Sequence, residues 1–159
     1  GTTTCIAIPF KITEPPILEE TDKTTDITHE NFSNLKILIA EDDYVNQLTI
    51  SSFVKRIGHI PLCAKDGVEA LKLLKSENYD LILMDIQMPN LDGVETTIAI
   101  RNSNKNFSKI PIIALTAHAM AGDREKFLAH GMDGYLSKPI ILEDLKNAID
   151  QIFSHNTSV

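Results

Sequence analysis

From position 35 to about position 153, segments with the apolar pattern of a buried strand alternate with segments that have the apolar pattern of a helix. Short apolar runs, typical of strands buried in a parallel sheet, alternate five times with helical segments. Predicted strands span 35–40, 59–64, 81–84, 110–115 and 134–136, and predicted helices span 44–57, 67–76, 91–101, 119–130 and 142 to about 153. Gly131 is well placed to end the fourth helix. The sequence therefore predicts five βα repeats.

Five βα repeats in about 120 residues predict an α/β fold with a doubly wound, five-stranded parallel sheet. The common strand order for such a sheet is 2-1-3-4-5, as in flavodoxin-like folds. In that order the first and third strands are neighbours, and the topology reverses between them. The residues that follow these two strands should therefore share one crevice, where ligands bind in such sheets.

The residues that follow the first and third predicted strands are acidic. Glu41, Asp42 and Asp43 follow the first strand, and Asp85 ends the third. Asp43 is expected to act as a helix cap or first-turn acid. The alternative explanation for Glu41, Asp42 and Asp43 together is that they only begin a helix, where acids are favoured. Convergence of Glu41, Asp42 and Asp85 predicts a site for a hard divalent cation, Mg²⁺ or Mn²⁺.

Two further strand ends bring polar groups to the same edge. Thr116 follows the fourth strand and Lys138 follows the fifth. A threonine hydroxyl can donate to a phosphate oxygen and a lysine can neutralise one, although each residue alone also fits an ordinary strand end or a solvated charge. With Lys138 and Mg²⁺ balancing three carboxylates, we expect phosphoryl transfer onto Asp85 as the nucleophile.

Four segments of the chain resemble the receiver domain of two-component response regulators. They occur in the family's order and at its usual separations, and they read LKILIAEDDYVNQ, LILMDIQMPNLDGVE, IIALTAHA and GYLSKPI. The resemblance implies a flavodoxin-like (βα)5 receiver fold over residues 35–155. It implies that Glu41 and Asp42 are the acidic metal pair, that Gln87 gives its backbone carbonyl to the metal, and that Asp85 is the phosphoacceptor.

The resemblance also assigns residues around the acids. Thr116 corresponds to the switch hydroxyl, and Lys138 corresponds to the lysine that faces the phosphate and precedes a cis proline bond. Tyr135 corresponds to the switch aromatic, with a half-buried edge tyrosine as the alternative. Gln87 and His118 correspond to the positions that flank an attacking water and tune dephosphorylation, and an ordinary exposed histidine is the alternative for His118.

The first 34 residues have a different character. Residues 1–12, GTTTCIAIPFKI, resemble the last strand of the ATP-binding domain of sensor histidine kinases, and an unstructured tail is the alternative. Residues 13–34 predict an acidic linker, since six acids and Lys23 give positions 14–30 a net charge of −5. The predicted domains are therefore a kinase remnant, a linker and a receiver over 35–155.

This organisation resembles the C-terminal receiver of a hybrid sensor histidine kinase. The sequence segments MDIQMPNLDG and ALTAHAMAGDREK carry the same resemblance. Such a receiver takes a phosphoryl group from a phosphohistidine in its kinase and passes it to a histidine phosphotransfer protein. We expect the partner surface on the first helix, near Asn46, Leu48 and Ile50, and on the loops around Asp85.

The bulk properties exclude several other classes. A net charge of −7 and the lack of a basic patch argue against nucleic-acid binding. Cys5 and Cys63 are too few and too isolated for a disulfide framework or a zinc site, which fits a reducing cytosol. No apolar run approaches the roughly 20 residues of a membrane span. We expect a cytoplasmic location without membrane contact, with an inner-membrane anchor in the parent chain left open.

Three alternatives remain open at this stage. A flavodoxin-like cofactor binder would need a Ser/Thr/Gly-rich loop after the first strand, where residues 41–43 would instead repel a phosphate. A pseudo-receiver would act by protein contact without phosphorylation, but the acid, threonine and lysine set is complete. A stand-alone single-domain response regulator would share the chemistry and lack the kinase.

Overall fold

The computed structural model describes residues 34–117 and 123–154 of the chain. In these ranges five strands alternate with five α-helices. The strands are β1 (Lys36–Ala40), β2 (Ile60–Ala64), β3 (Leu81–Asp85), β4 (Ile112–Thr116) and β5 (Gly134–Ser137). The helices are α1 (Tyr44–Arg56), α2 (Gly67–Ser76), α3 (Gly93–Arg101), α4 (Asp123–Ala129) and α5 (Leu142–Ser154), and a 3₁₀ helix spans Asn106–Lys109.

All strand pairs in the sheet are parallel, and the strand order is β2-β1-β3-β4-β5. The predicted α/β fold with a 2-1-3-4-5 sheet is confirmed. Because Ala40 at the end of β1 pairs with Met84 near the end of β3, the residues after these strands leave the sheet side by side. The topology thus places Glu41, Asp42 and Asp85 at the predicted crevice.

The core has two layers, one on each side of the sheet. Alternate residues of a strand point to opposite faces, so Leu38 and Ile82 pack towards α2, α3 and α4, whereas Ile39 and Leu83 pack towards α1 and α5. Every residue of β3 and β4 is buried. This explains the uninterrupted apolar runs over residues 81–84 and 112–115, since burial of one large aliphatic side chain contributes about 1.5–3 kcal/mol.

Three of the helices that border the crevice begin with a capping aspartate. Asp43, Asp66 and Asp92 each accept a hydrogen bond from the backbone N–H three residues later, at 2.8–2.9 Å. Such a cap stabilises a helix by about 0.5–2 kcal/mol. The prediction that Asp43 is a helix cap is confirmed.

The observed elements differ from the predicted ones mainly at their ends. β4 begins at Ile112 rather than at position 110, because a 3₁₀ helix and Pro111 precede it. α3 begins at Gly93 rather than at position 91, because Asp92 and Glu95 form a capping box. Gly131 follows α4 with φ +90° and is its C′ residue, as predicted. The predicted start of that helix at 119 and the predicted strand and linker in residues 1–33 lie outside the described residues.

No helix in the described ranges combines the length and the apolar character needed to cross a membrane.

Gly93 packs directly against the main chain of the buried acid at the end of β3. A Cβ atom at position 93 would collide with the carbonyl oxygen of Asp85 and lie 2.9 Å from its carbonyl carbon. The amide of Gly93 also donates to the carbonyl of Ile86 at 3.1 Å. Glycine is therefore required here by the close approach of two backbones.

We expect Gly93→Ala to lower the free energy of unfolding by about 1–3 kcal/mol, because the methyl group forces backbone apart in a packed region. Urea denaturation measures this difference. Gly134→Ala is the matched control, since a Cβ there would meet its nearest atom, on Ile113, at 3.7 Å. Equal stability of the two variants would show that the contact between Gly93 and Asp85 is not tight.

Candidate functional site

Three carboxylates gather where β1 and β3 end. One oxygen each of Glu41, Asp42 and Asp85 lies within 4.8 Å of the others. Glu41 is fully buried and Asp85 retains 4% exposure, whereas Asp42 is exposed. The cluster therefore has two buried acids and one acid that is open to solvent.

Lys138, which follows β5, lies between the two buried acids. Its Nζ atom is 2.7 Å from Asp85 Oδ2 and 2.7 Å from Glu41 Oε2. One ammonium group thus neutralises part of the charge of the cluster. Three carboxylates and one lysine leave a formal charge of −2, which matches a divalent cation.

The lysine is charged at neutral pH. Burial alone would lower the pKa of Lys138, but hydrogen bonds and charge from Asp85 and Glu41 outweigh burial and raise the pKa above its ordinary value of 10.5. Because the pKa is raised in the folded state, the stabilisation is fully present below pH 10.5 and is lost as the pH rises through the folded-state pKa. The bridge is therefore intact throughout the physiological range.

The start of α1 orients Glu41. The side-chain amide of Asn46 donates to Glu41 Oε1 at 3.0 Å, and that of Gln47 donates to the Glu41 carbonyl at 2.6 Å. Sequence reasoning missed Gln47 and gave Asn46 only a role in partner contact. The available signal was the position of two amide side chains one helical turn after an acidic strand end.

Asp85 is held on both of its carboxylate oxygens. Oδ2 accepts from Lys138, and Oδ1 accepts from the backbone N–H of Gln87 at 3.2 Å. Gln87 is exposed and belongs to the loop after β3. The structure thus shows a hydrogen bond between Gln87 and the predicted phosphoacceptor. The roles of Gln87 as a metal ligand and in dephosphorylation stay predictions.

Thr116 and Tyr135 lie on neighbouring strands on one side of the site. Thr116 ends β4, is 7% exposed, and its carbonyl accepts from the amide of Lys138 at 2.7 Å. Tyr135 pairs with Ala114, two residues before Thr116, so the register directs the side chains of Thr116 and Tyr135 to the same face of the sheet, the face that α4 covers. Tyr135 is 39% exposed.

Two other predictions concern the strand ends. The peptide bond between Lys138 and Pro139 is cis, as the resemblance implied. His118, which was predicted to tune dephosphorylation, lies outside the described residues. The structure therefore brings Glu41, Asp42, Asp85, Gln87 and Lys138 together, with Thr116 and Tyr135 on the adjoining strands.

The donor set of the acid cluster fits a hard divalent cation. Each of its three members offers a carboxylate oxygen, the ligand type that Mg²⁺ and Mn²⁺ prefer, and the spacing of these oxygens allows one ion to contact all three. The exposed position of Asp42 leaves a side of the cluster open to solvent. The residues present thus fit such an ion.

A doubly wound sheet with a carboxylate cluster and a lysine at its topological switch point defines a receiver-type domain of phosphorelay signalling. Residues 37–150 match the response regulator receiver domain family, and the chain belongs to this family.

Curated relatives and solved structures agree with this assignment. The chain is 39% identical over 152 residues to the sensor protein EvgS of Escherichia coli, covering 96% of this chain and 12% of that protein. It is 51% identical over 111 residues to hybrid signal transduction histidine kinase I of Dictyostelium discoideum, covering 66% of this chain and 6% of that protein. The chain therefore spans only a small part of the length of these relatives.

One similar solved structure contains a metal at its site. It is the receiver domain of a sensor histidine kinase from Pseudomonas aeruginosa, with a magnesium ion coordinated in its active site cleft. The identity is 39% and the TM-score is 0.68, over 75% of this chain and 97% of that chain. A receiver domain of a Francisella response regulator has a TM-score of 0.71 at 32% identity, over 77% and 99% of the two chains.

We expect Lys138→Met to destabilise the domain in Mg²⁺-free buffer at pH 7.5, because two buried carboxylates then lack their cation. The free energy of unfolding should fall by about 1–3 kcal/mol, less than for a fully buried pair because the Lys138 side chain is 21% exposed. The difference should shrink in Mg²⁺, since a bound cation relieves the repulsion. Urea denaturation measures each value.

Lys146→Met is the control for this experiment. Lys146 forms an exposed ion pair with Asp150 at 2.7 Å, and its removal should leave the stability nearly unchanged. A Lys138 variant as stable as the wild type in chelator at pH 7.5 would contradict the predicted repulsion between Glu41 and Asp85.

Proposed function

We propose that the chain accepts a phosphoryl group from a phosphohistidine onto Asp85 in an Mg²⁺-dependent reaction and passes the group on to a histidine phosphotransfer protein. One observation supports this above others. Asp85 is a buried carboxylate that contacts Lys138 and lies within 4.8 Å of two further acids. This arrangement supplies a nucleophile, a counter-charge and the ligands of a cation at one point.

The transfer step is a displacement at phosphorus. A carboxylate oxygen of Asp85 forms the new bond to phosphorus as the bond from phosphorus to the imidazole nitrogen breaks, and the bonding electrons leave with the imidazole. When bound, Mg²⁺ supplies charge neutralisation for the phosphoryl oxygens, and Glu41, Asp42, Asp85 and the carbonyl of Gln87 would hold it. Lys138 releases its bond to Asp85 and pairs with a phosphoryl oxygen.

Thr116 and Tyr135 are proposed to read the modified state. The hydroxyl of Thr116 donates to a phosphoryl oxygen, and Tyr135 on the same sheet face then changes its position. The new charge-assisted hydrogen bond biases a two-state equilibrium at the surface formed by α4 and β5. Gln87 and His118 would set the lifetime of the acyl phosphate through the access of water.

The parent of this domain is proposed to be a hybrid sensor histidine kinase. The relatives EvgS and Dictyostelium kinase I support this proposal, since the segment they share with the chain is a small part of each of them. Under this proposal residues 1–12 end a kinase ATP-binding domain and residues 13–34 are the linker to the receiver at 35–155. A cytoplasmic location of the domain follows from the same proposal.

The partner surface is proposed to lie on the exposed side of α1. Tyr44, Val45 and Leu48 are 69%, 67% and 53% exposed and lie in the first two turns of α1, close in sequence to Asp42, so they offer apolar surface near the acids. The prediction that Ile50 belongs to this surface is wrong. Ile50 is 2% exposed and packs in the core layer beneath α1, because it lies on the opposite side of the helix from Leu48.

We expect the wild-type chain to gain the mass of one phosphoryl group when it is incubated with Mg²⁺ and a small phosphodonor, and Asp85→Asn to gain none. Removal of Mg²⁺ with a chelator should abolish the gain in the wild type. Intact-mass spectrometry measures the product, and addition of BeF₃⁻ followed by NMR should shift resonances around Asp85 only in the wild type.

Asp150→Asn is the matched control, because Asp150 is an acid in α5 that pairs with Lys146 away from the cluster. This variant should be phosphorylated like the wild type. A wild-type chain whose mass and spectra do not change would instead favour the pseudo-receiver, which acts by protein contact alone.

We expect Leu48→Asp to slow phosphoryl transfer from a phosphorylated histidine phosphotransfer domain by tenfold or more, an order of magnitude typical of losing an apolar anchor at an interface. Transfer from a small phosphodonor should be unchanged, because the acid cluster is intact. Val68→Asp on α2 is the control, since Val68 is 55% exposed and lies on the other side of the sheet. Equal slowing with both donors would place Leu48 in the chemistry rather than in partner contact.

A further inference from the structure

The loop between β3 and α3 is held from outside the acid cluster by the start of α2. This loop, residues 86–92, begins directly after Asp85 and carries Gln87, whose N–H donates to the Asp85 carboxylate. Asn90 belongs to this loop and has a left-handed backbone conformation, with φ +65°. The position of this loop therefore decides what Gln87 can reach.

Asp66 connects α2 to the loop through a single carboxylate. Its Oδ1 caps α2 by accepting from the N–H of Glu69 at 2.8 Å, and its Oδ2 accepts from the side-chain amide of Asn90 at 2.7 Å. Asp66 is 5% exposed. Because one oxygen is fixed by the helix, the other oxygen offers Asn90 an acceptor with a fixed position and direction.

A second contact lies beside this pair. The N–H of Gly67 donates to the carbonyl of Leu91 at 3.2 Å, and a Cβ atom on Gly67 would lie 2.7 Å from that oxygen and collide with the Thr96 hydroxyl. The first residues of α2 are thus in direct contact with both the loop and α3. Hydrogen bonds from one helix start hold two successive loop residues.

We propose that Asp66 and Asn90 are positioning residues for phosphoryl transfer: their hydrogen bond fixes the loop so that Gln87 donates to Asp85 and directs its carbonyl to the cation. The inference rests on the proposed function. Neither residue touches the reacting atoms, and both act through the backbone of residues 86–90. Groups that orient metal ligands from outside the ligand set typically change metal affinity by 10- to 100-fold.

The test removes the hydrogen bond and then restores it with the partners exchanged. Asn90→Gly keeps the left-handed backbone and deletes the amide. Asn90→Asp also tolerates that backbone but places a second carboxylate against Asp66. In the double variant Asp66→Asn with Asn90→Asp, the new amide at position 66 can still cap α2 and donates to the new carboxylate, at unchanged net charge.

The Mg²⁺ dissociation constant, measured by isothermal titration calorimetry, should rise roughly tenfold in Asn90→Gly and return to within about threefold of the wild type in the double variant. Asn90→Asp should also bind Mg²⁺ more weakly, although its added charge alone would strengthen binding. The lifetime of the phosphorylated state, measured by phosphate release, should change in the two single variants and recover in the double variant.

Asp80→Ala is the control for a purely structural role. Asp80 accepts from the N–H of Lys36 at 2.7 Å and so joins the residue before β3 to the first residue of β1, at the ends of these strands that lie away from the acid cluster. It should lower the stability to urea without changing the Mg²⁺ dissociation constant or the phosphoryl lifetime.

Two failures are distinguishable. If the wild type is phosphorylated normally and both single variants match its Mg²⁺ affinity and lifetime, the positioning role is overturned and the proposed function stands. The positioning role is also overturned if the double variant binds Mg²⁺ as weakly as the single variants. A wild type that accepts no phosphoryl group overturns the proposed function, and this inference with it.

Discussion

The bridge from Lys138 to Glu41 and Asp85 is the interaction on which the site depends. Two charges 4 Å apart interact with about 4 kcal/mol at the effective dielectric of a protein surface, so three carboxylates within 4.8 Å repel one another strongly. One ammonium at 2.7 Å from two of them offsets only part of this repulsion. The fold therefore maintains a local excess of negative charge, which favours the binding of a cation.

The backbone architecture makes this concentration of charge tolerable. The acids come from separate βα units with largely buried strands, and burial of the apolar residues of β1, β3 and β4 supplies favourable free energy that offsets the repulsion. Amides from α1 and from the loop after β3 satisfy Glu41 and Asp85 directly. The apolar residues of these strands thus stabilise the fold, while the acidic residues at the strand ends provide the charge of the site.

Much of this arrangement could be predicted from the sequence, because it follows from strand order. Apolar runs such as residues 81–84 mark buried parallel strands, and the reversal between β1 and β3 places the acidic residues at their ends together. The predicted strand ends were less accurate where a neighbouring element sets the boundary, as at the start of β4, which follows a 3₁₀ helix and Pro111. Ile50 was misplaced although its spacing from the buried Val54, four residues on, is that of an inward helix face.

The hydrogen bonds that orient the acids could not be predicted in the same way. Asn90 and Asp66 are 24 residues apart in sequence, and their contact depends on the exact approach of two loops rather than on any periodic pattern. The same holds for Gln47 and the Glu41 carbonyl. Polar residues near a switch point are numerous, and only the backbone geometry selects the pairs that meet.

The contact between Gly93 and the main chain of Asp85 limits how the end of β3 can move. Because a Cβ atom at position 93 would already collide with the carbonyl oxygen of Asp85, the end of β3 has no room to shift towards α3. Within the sheet the same strand is hydrogen-bonded to β1 on one side and to β4 on the other. The main chain of Asp85 is thus confined by α3 and by both neighbouring strands, so that any rearrangement at this position falls to the side chain.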